Sequence, residues 1–228
     1  MQRKIINTKD NSKTLLIPNM NETYHSTNGA FTEALHIYID KGISQFKSIK
    51  SRISVFEMGF GTGLNALLTY QFALKNNLNI DYQTIEKFPI SIDEINELNY
   101  PNELKIPQLK NIYDQMHQLP NAKTENILDT FSFTKYREDI KSFQLPLNSI
   151  DIIYFDAFAP QHQPDLWTEE VLFKMYNSLK PNGFLITYCA QGKFKRTLKS
   201  IGFTTIGLVG PPGKREITKA IKKSEKEQ

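Results

Sequence analysis

The chain has 228 residues, 39% hydrophobic and 23% charged, which is enough to bury a core of its own and ordinary for a globular protein. No apolar run could span a bilayer, no signal-peptide core opens the chain, and one cysteine (Cys189) with four scattered histidines suits neither a disulfide nor a metal, so a cytoplasmic, metal-free protein is expected. The net charge of +4 is uneven: from Gln191 onward ten Lys/Arg stand against three Glu, a balance of +7 that leaves −3 for the rest.

Residues 1–45 read as an N-terminal extension (strand plus helix) packed on a core domain of 46–228. The extension holds a strand at 14–17 stopped by Pro18, then Tyr24-His-Ser-Thr-Asn-Gly-Ala30, then a helical pattern through Phe31, Ala34, Leu35 and Tyr38 that stops at Gly42. Ile53, Val55 and Phe56 make a short buried strand ending at Glu57. Gly59, Gly61 and Gly63 follow, and Leu64, Ala66, Leu67 and Leu68 restart the apolar pattern at helical spacing. Strand, glycine turn and helix in that order form the first βα turn of a doubly wound sheet. The glycines let the backbone approach a ligand that no Cβ would tolerate.

Residues 80–85 read as the second strand, ending at Glu86, with a helix at 90–98. Residues 99–129, broken by Pro101, Pro107 and Pro120, read as an insertion packed on the domain. A third strand at 131–136 ends in Glu138-Asp139. The continuous apolar run at 150–155 suits a central parallel strand and delivers Asp156-Ala-Phe-Ala-Pro160. A helix over 167–179 has Thr168 as N-cap and Lys180-Pro-Asn-Gly183 as its stop. A fifth strand at 184–188, a basic helix at 193–200 and an antiparallel pair at 203–209 and 216–221 close the chain. This order differs from the two matched halves of a dehydrogenase. It suits the α/β, Rossmann-like, seven-stranded and mostly parallel sheet of S-adenosylmethionine-dependent methyltransferases, as a likeness of fold alone.

Ligands of such sheets bind at the carboxyl ends of the strands, and four ends here are acidic: Glu57, Glu86, Asp139 with Glu138, and Asp156. Glu86, 23 positions after Gly63, is placed to accept from two ribose hydroxyls. Asp139 is the candidate for an adenine amino group. Glu57 separates the cofactors, because a carboxylate at the base of the turn would repel a pyrophosphate and suit a sulfonium nucleoside. A solvated loop carboxylate is the plainer reading of any one of these acids. Asp156 has the chemistry to orient a primary amine and take up its proton. Phe158 could stack on a base, although an aromatic there is more often packing, and the same holds for Trp167.

These residues resemble a family. Glu57-Met-Gly-Phe-Gly-Thr-Gly-Leu-Asn65, Ile85-Glu-Lys-Phe-Pro89, and Asp156-Ala-Phe-Ala-Pro160 with Pro164-Asp-Leu-Trp167 are similar to the methyltransferase half of the MnmC family of tRNA 5-methylaminomethyl-2-thiouridine biosynthesis proteins, in a stand-alone form. The likeness extends back to Tyr24, Ser26, Gly29, Glu33 and His36, and forward to Gly202-Phe203 and Gly213-Lys-Arg-Glu216. It implies methyl transfer from S-adenosylmethionine to the amino nitrogen of 5-aminomethyl-(2-thio)uridine at the tRNA wobble position. It further implies that Glu57, Gly59, Phe60, Gly61, Thr62, Gly63 and Asn65 hold the methionine part of the cofactor. Glu86 would hold the ribose, Asp139 the adenine side and Asp156 the amine. Tyr24, Ser26, Gly29 and Glu33 would fold over the site, with Phe158, Pro160, Lys214 and Arg215 on the substrate side. The plainer reading of residues 24–33 is a structural turn.

The chain departs from the family at Ala157, where Asp-Gly-Phe is more usual, and it is too short for the family's flavin-dependent oxidase domain. The basic C-terminal segment fits tRNA phosphates, and a solvated tail is the bland alternative. Other readings are a methyltransferase of a small amine, a non-catalytic nucleoside- or tRNA-binding module, and a nicotinamide dehydrogenase.

Overall fold

The computed structural model describes residues 2–48 and 51–224. The chain opens on a small antiparallel sheet of β1 (Lys4–Asn7), β2 (Lys13–Ile17) and β3 (Glu22–Thr23). Helix α1 (Ala30–Ala34) continues as a π-helical stretch, Leu35–Asp40. The N-cap position of α1, Gly29, has no side chain to offer. Asp10 supplies the missing acceptor from a distance, taking the Thr32 N–H at 2.9 Å and the Thr32 hydroxyl at 2.8 Å. A Cβ on Gly29 would come within 2.3 Å of the Asp10 carboxylate.

The main sheet then builds outward from β4 (Ile53–Met58), whose Ile53, Val55, Phe56 and Met58 are all buried. Helix α2 (Leu64–Asn76) leads to β5 (Ile80–Ile85). Helix α3 (Ile92–Leu98), closed by a Ser91–Glu94 capping box, leads through α4 (Tyr100–Glu103) and α5 (Lys110–Gln118) to β6 (Thr124–Leu128) and β7 (Phe131–Tyr136). The chain next crosses to the other side of β4 as β8 (Ile150–Phe155), α6 (Glu169–Ser178) and β9 (Leu179–Thr187). Helix α7 (Gly192–Ile201) and the hairpin of β10 (Phe203–Val209) and β11 (Glu216–Lys222) finish it.

The spatial order is β10-β11-β9-β8-β4-β5-β7-β6, with β9, β8, β4, β5 and β7 parallel. The seven expected strands are present. An eighth, β6, comes from the middle insertion and pairs antiparallel with β7 at the sheet edge. One boundary is corrected. Helix α6 ends at Ser178, and Leu179 already pairs with Ile150, so Lys180-Pro-Asn-Gly183 lies inside β9 across a register irregularity instead of following a helix end. Gly183 is needed there for close approach, since a Cβ would meet three backbone oxygens at 2.9–3.1 Å.

Strand order reverses between β4 and β8, where Met58 lies beside Phe155. The two chain segments leaving those strands therefore diverge above one point and leave a crevice at their carboxyl ends. Leu15, Ala30, Ala34, Ile37 and Tyr38 join the same apolar cluster as Val55, Ile152 and Tyr154, which ties the N-terminal residues to the sheet.

Candidate active site

The crevice is a cavity of about 870 Å³ walled by the ends of β4, β5, β7, β8 and β9, the segment at 22–26 and the β10–β11 connection. Its floor is the glycine turn. Gly59 has φ +94, and a Cβ there would lie 2.6 Å from the Asp156 backbone oxygen, so the turn and the loop after β8 can meet only through glycine. The Asp156 N–H donates to the Met58 carbonyl at 3.0 Å, locking that meeting. Gly61 (φ +50) lies beneath the Tyr24 ring, with a Cβ position 3.1 Å from it.

Glu86 is oriented by the turn it faces. One carboxylate oxygen accepts the Gly61 N–H at 2.9 Å and the other the Phe88 N–H at 2.7 Å, and each keeps a further lone pair. Asp139 accepts the Lys141 N–H at 3.0 Å and the Lys87 ammonium at 2.9 Å, which together hold its carboxyl below the usual range. Asp156 accepts the Asn65 amide at 2.8 Å. Burial pushes its pKa up to about 7; Tyr38 and Asn65 pull the other way, and the charge of Glu33 adds to the rise. At neutral pH about half of it is therefore carboxylate, the form able to take a proton.

Phe158 meets the Tyr24 ring edge-on at 4.9 Å, joining the N-terminal segment to the loop after β8. Glu22 and His162 form a second bridge at 2.9 Å. Ala157 is not among the described residues with positive φ, and its methyl is buried in apolar surroundings, so it replaces a glycine without backbone strain. Trp167 lies outside the cavity wall: it packs on Phe155 and Phe194 and donates its indole N–H to the Phe158 carbonyl at 2.8 Å.

Of the expected residues, Tyr24, Ser26, Glu33, Gly59, Phe60, Gly61, Thr62, Asn65, Glu86, Asp139, Asp156, Phe158, Pro160, Lys214 and Arg215 line the cavity, and three do not. Gly63 faces His117 and Phe60, at 2.8 and 2.9 Å from its Cβ position, and serves packing under the turn. Gly29 serves the Asp10 cap. Glu57 is fully buried below the floor, with both oxygens lacking a hydrogen-bond partner. Burial raises its pKa to about 8, against the opposing effect of Thr84, Tyr82 and Asn65, so it is mostly neutral at pH 7. The sequence expectation for Glu57 rests on a charge that burial largely suppresses.

Tyr38, Tyr188 and His162 were not foreseen. Tyr38 carries a core helix pattern, yet its polar tip bears on Asp156. Tyr188 follows β9 directly and donates to the Ala157 carbonyl at 2.8 Å.

Residues 191–224 of the basic C-terminal segment are structured rather than a tail. Lys195 pairs with Glu216 at 2.7 Å, Lys219 stands 3.9 Å over the Phe184 ring and Lys222 caps the Leu179 carbonyl at 2.8 Å. Lys193, Arg196, Lys199 and Arg215 are exposed. Lys226 lies outside the described residues. Among the described residues no helix is long and apolar enough to cross a membrane, and no group of three or more His, Cys, Asp or Glu could hold a metal.

A sheet of this order, with a glycine turn under its switch point and acids at the neighbouring strand ends, defines a Rossmann-like S-adenosylmethionine-dependent methyltransferase fold. Residues 93–223 match the family described as S-adenosyl-L-methionine-dependent methyltransferase, and the chain belongs to it. Its cofactor is accordingly S-adenosyl-L-methionine. The residues present fit that group: a glycine cradle that a Cβ would fill, and a Glu86 carboxylate with acceptor capacity free toward the cavity.

The chain is similar to the tRNA 5-methylaminomethyl-2-thiouridine biosynthesis bifunctional proteins MnmC of Cupriavidus necator (26% identical, 89% of this chain, 32% of that protein) and Pseudoalteromonas translucida (28%, 86% and 33%). It spans about a third of the length of these curated relatives. Among solved structures, MnmC2 from Aquifex aeolicus has the same fold with a TM-score of 0.77 at 20% identity, covering 98% of this chain and 71% of that one. Spermidine synthase from Thermotoga maritima follows with 0.58 at 17% identity, covering 96% and 69%.

Proposed function

We propose that the chain methylates the amino nitrogen of 5-aminomethyl-(2-thio)uridine at the tRNA wobble position, giving the 5-methylaminomethyl nucleoside. The observation that carries this reading is Asp156: a cavity carboxylate against the glycine turn, with a pKa raised to about 7. The relatives named for tRNA 5-methylaminomethyl-2-thiouridine biosynthesis support the same acceptor.

S-adenosylmethionine supplies a methyl group on a positively charged sulfur, open to attack by a nitrogen lone pair. A primary amine is mostly protonated at neutral pH, so an ammonium arriving at the site must first lose a proton. Asp156 takes it, held in position by the Asn65 amide. Such base assistance is worth roughly 10²–10⁴-fold, and alignment of the amine supplies much of the remainder. Glu86 accepts from the ribose hydroxyls and Asp139 faces the adenine side. The glycine turn with Phe60, Thr62 and Asn65 holds the methionine part.

In this reading residues 1–45 act as a cover on a methyltransferase domain of 46–228, closed by the Tyr24–Phe158 and Glu22–His162 contacts. The exposed Lys193, Arg196 and Lys199 of α7 meet tRNA phosphates. The test is to incubate the protein with methyl-labelled S-adenosylmethionine and tRNA lacking this methylation, then digest and identify the labelled nucleoside. Label in 5-methylaminomethyl-(2-thio)uridine is expected; label in another nucleoside, or transfer only to free small amines, would refute the reading.

A further inference from the structure

Lys214 occupies a corner of the cavity that the mechanism above leaves without a role. Its ammonium lies 3.4 Å from Glu33 Oε1 and 4.7 Å from the centre of the Tyr188 ring. The corner is built to stay in place. Glu33 is only 9% exposed, and its Oε2 accepts the Ser26 N–H at 2.7 Å. Its Oε1 is buried without a hydrogen-bond partner. Tyr188 is anchored through its hydroxyl to the Ala157 carbonyl, next to Asp156. Glu33 and Lys214 both act on the Asp156 carboxyl, the first raising its pKa and the second lowering it.

The ammonium of lysine is itself a primary alkylammonium. The groups around it are those that recognise one: carboxylates in a partly desolvated wall and the face of an aromatic ring. Phosphate binding is a poor account of this lysine, because its charge faces carboxylates and a ring. The pair is not a hydrogen bond, and Glu33 Oε1 keeps its acceptor capacity. The flexible four-carbon stem allows the ammonium to leave without moving the backbone.

We propose that Glu33, Asp156 and the face of Tyr188 form a subsite for a primary ammonium, filled by Lys214 in the substrate-free chain and given up to the incoming amine. The proposal rests on the reading that the methyl acceptor is an amine and adds the residues that select it. Lys214 is then an internal competitor, and its removal tightens binding of an external alkylammonium.

The test is a calorimetric titration of the full chain, saturated with S-adenosylhomocysteine so that no turnover occurs, with n-butylammonium chloride, and with n-butanol as neutral control. Measured at about pH 8 so that Asp156 is ionised, Lys214→Met is expected to bind butylammonium roughly tenfold more tightly than the parent chain. Added to Lys214→Met, where no internal competitor remains, Glu33→Gln keeps an acceptor for the Ser26 N–H and is expected to weaken butylammonium binding roughly tenfold. Neither variant should change binding of n-butanol. Unchanged or weaker butylammonium binding in Lys214→Met, or no loss of binding when Glu33→Gln is added to Lys214→Met, would overturn the subsite. The tRNA reading fails separately: butylammonium affinity would follow Lys214 and Glu33 while no label reached tRNA.

Discussion

Asp156 and Glu57 show how burial divides two acids between two tasks. Asp156 reaches the cavity with a pKa raised to about 7, so its base form accumulates as pH rises through that value. kcat/KM is therefore expected to climb with pH to a plateau above about 7, and a pH profile checks it. Asp156→Asn keeps the Asn65 contact but cannot take a proton. Its kcat should fall roughly 10²–10⁴-fold while affinity for S-adenosylmethionine, read by calorimetry, stays within about threefold. Glu57 does not reach the cavity, and burial raises its pKa from 4.5 to about 8. Between those values the unfolded chain releases the proton and the folded chain keeps it. Its contribution to stability is thus full below about 4.5 and lost as pH rises through about 8. Glu57→Gln mimics the neutral acid and should stabilise the protein on the order of 1–3 kcal/mol at pH 8, with no gain near pH 4. Denaturant melts at the two pH values measure the difference.

At the scale of elements, the site depends on backbone approach more than on any one side chain. Gly59→Ala brings a Cβ to 2.6 Å from the Asp156 backbone oxygen at φ +94. With strain of about 1–3 kcal/mol, S-adenosylmethionine affinity should drop roughly tenfold or more, measurable by calorimetry. Burial opposes the charge of Asp10, but hydrogen bonds from Ser12, Thr8 and Thr32 outweigh it and hold the carboxyl far below its usual range. Asp10→Ala should cost about 1–2 kcal/mol and speed hydrogen exchange in β1–β3 and α1. The strands with buried β-branched residues, β4, β5, β7 and β8, were legible in the sequence because each carries its apolar signal locally. The strands at the margins were not. In β6 every residue is only half-buried or exposed, so the hydrophobic alternation that marks a strand is weak. The start of β9 carries Pro181 and Gly183, which imitate a helix stop, although Leu179 is already paired with β8. The acids at the ends of β5, β7 and β8 could be read from strand spacing, as could the glycine turn. Tyr38 and Tyr188 could not, because a buried aromatic with a polar tip looks like core until the fold shows what the tip faces.

The whole molecule sets a cavity with acids in its walls beside an exposed basic helix, a combination suited to an amine carried on a polyanion. Lys193, Arg196 and Lys199 project from α7 without a role in the core. Replacing all three by Ala should weaken tRNA binding and reduce the slope of log K against log salt by about 2–3, while leaving S-adenosylmethionine affinity unchanged. Fluorescence titrations at several salt concentrations give both quantities. The central claim is that the methyl group passes to an amine held at Asp156. Its most direct test is tandem mass spectrometry on an anticodon stem-loop carrying 5-aminomethyluridine, after reaction with the parent chain and with Asp156→Asn. The account predicts one added methyl, on the amino nitrogen, for the parent chain, and a rate lower by roughly 10²-fold or more for the variant. A methyl on the base or ribose, or an Asp156→Asn variant that reacts at the parent rate, would contradict it.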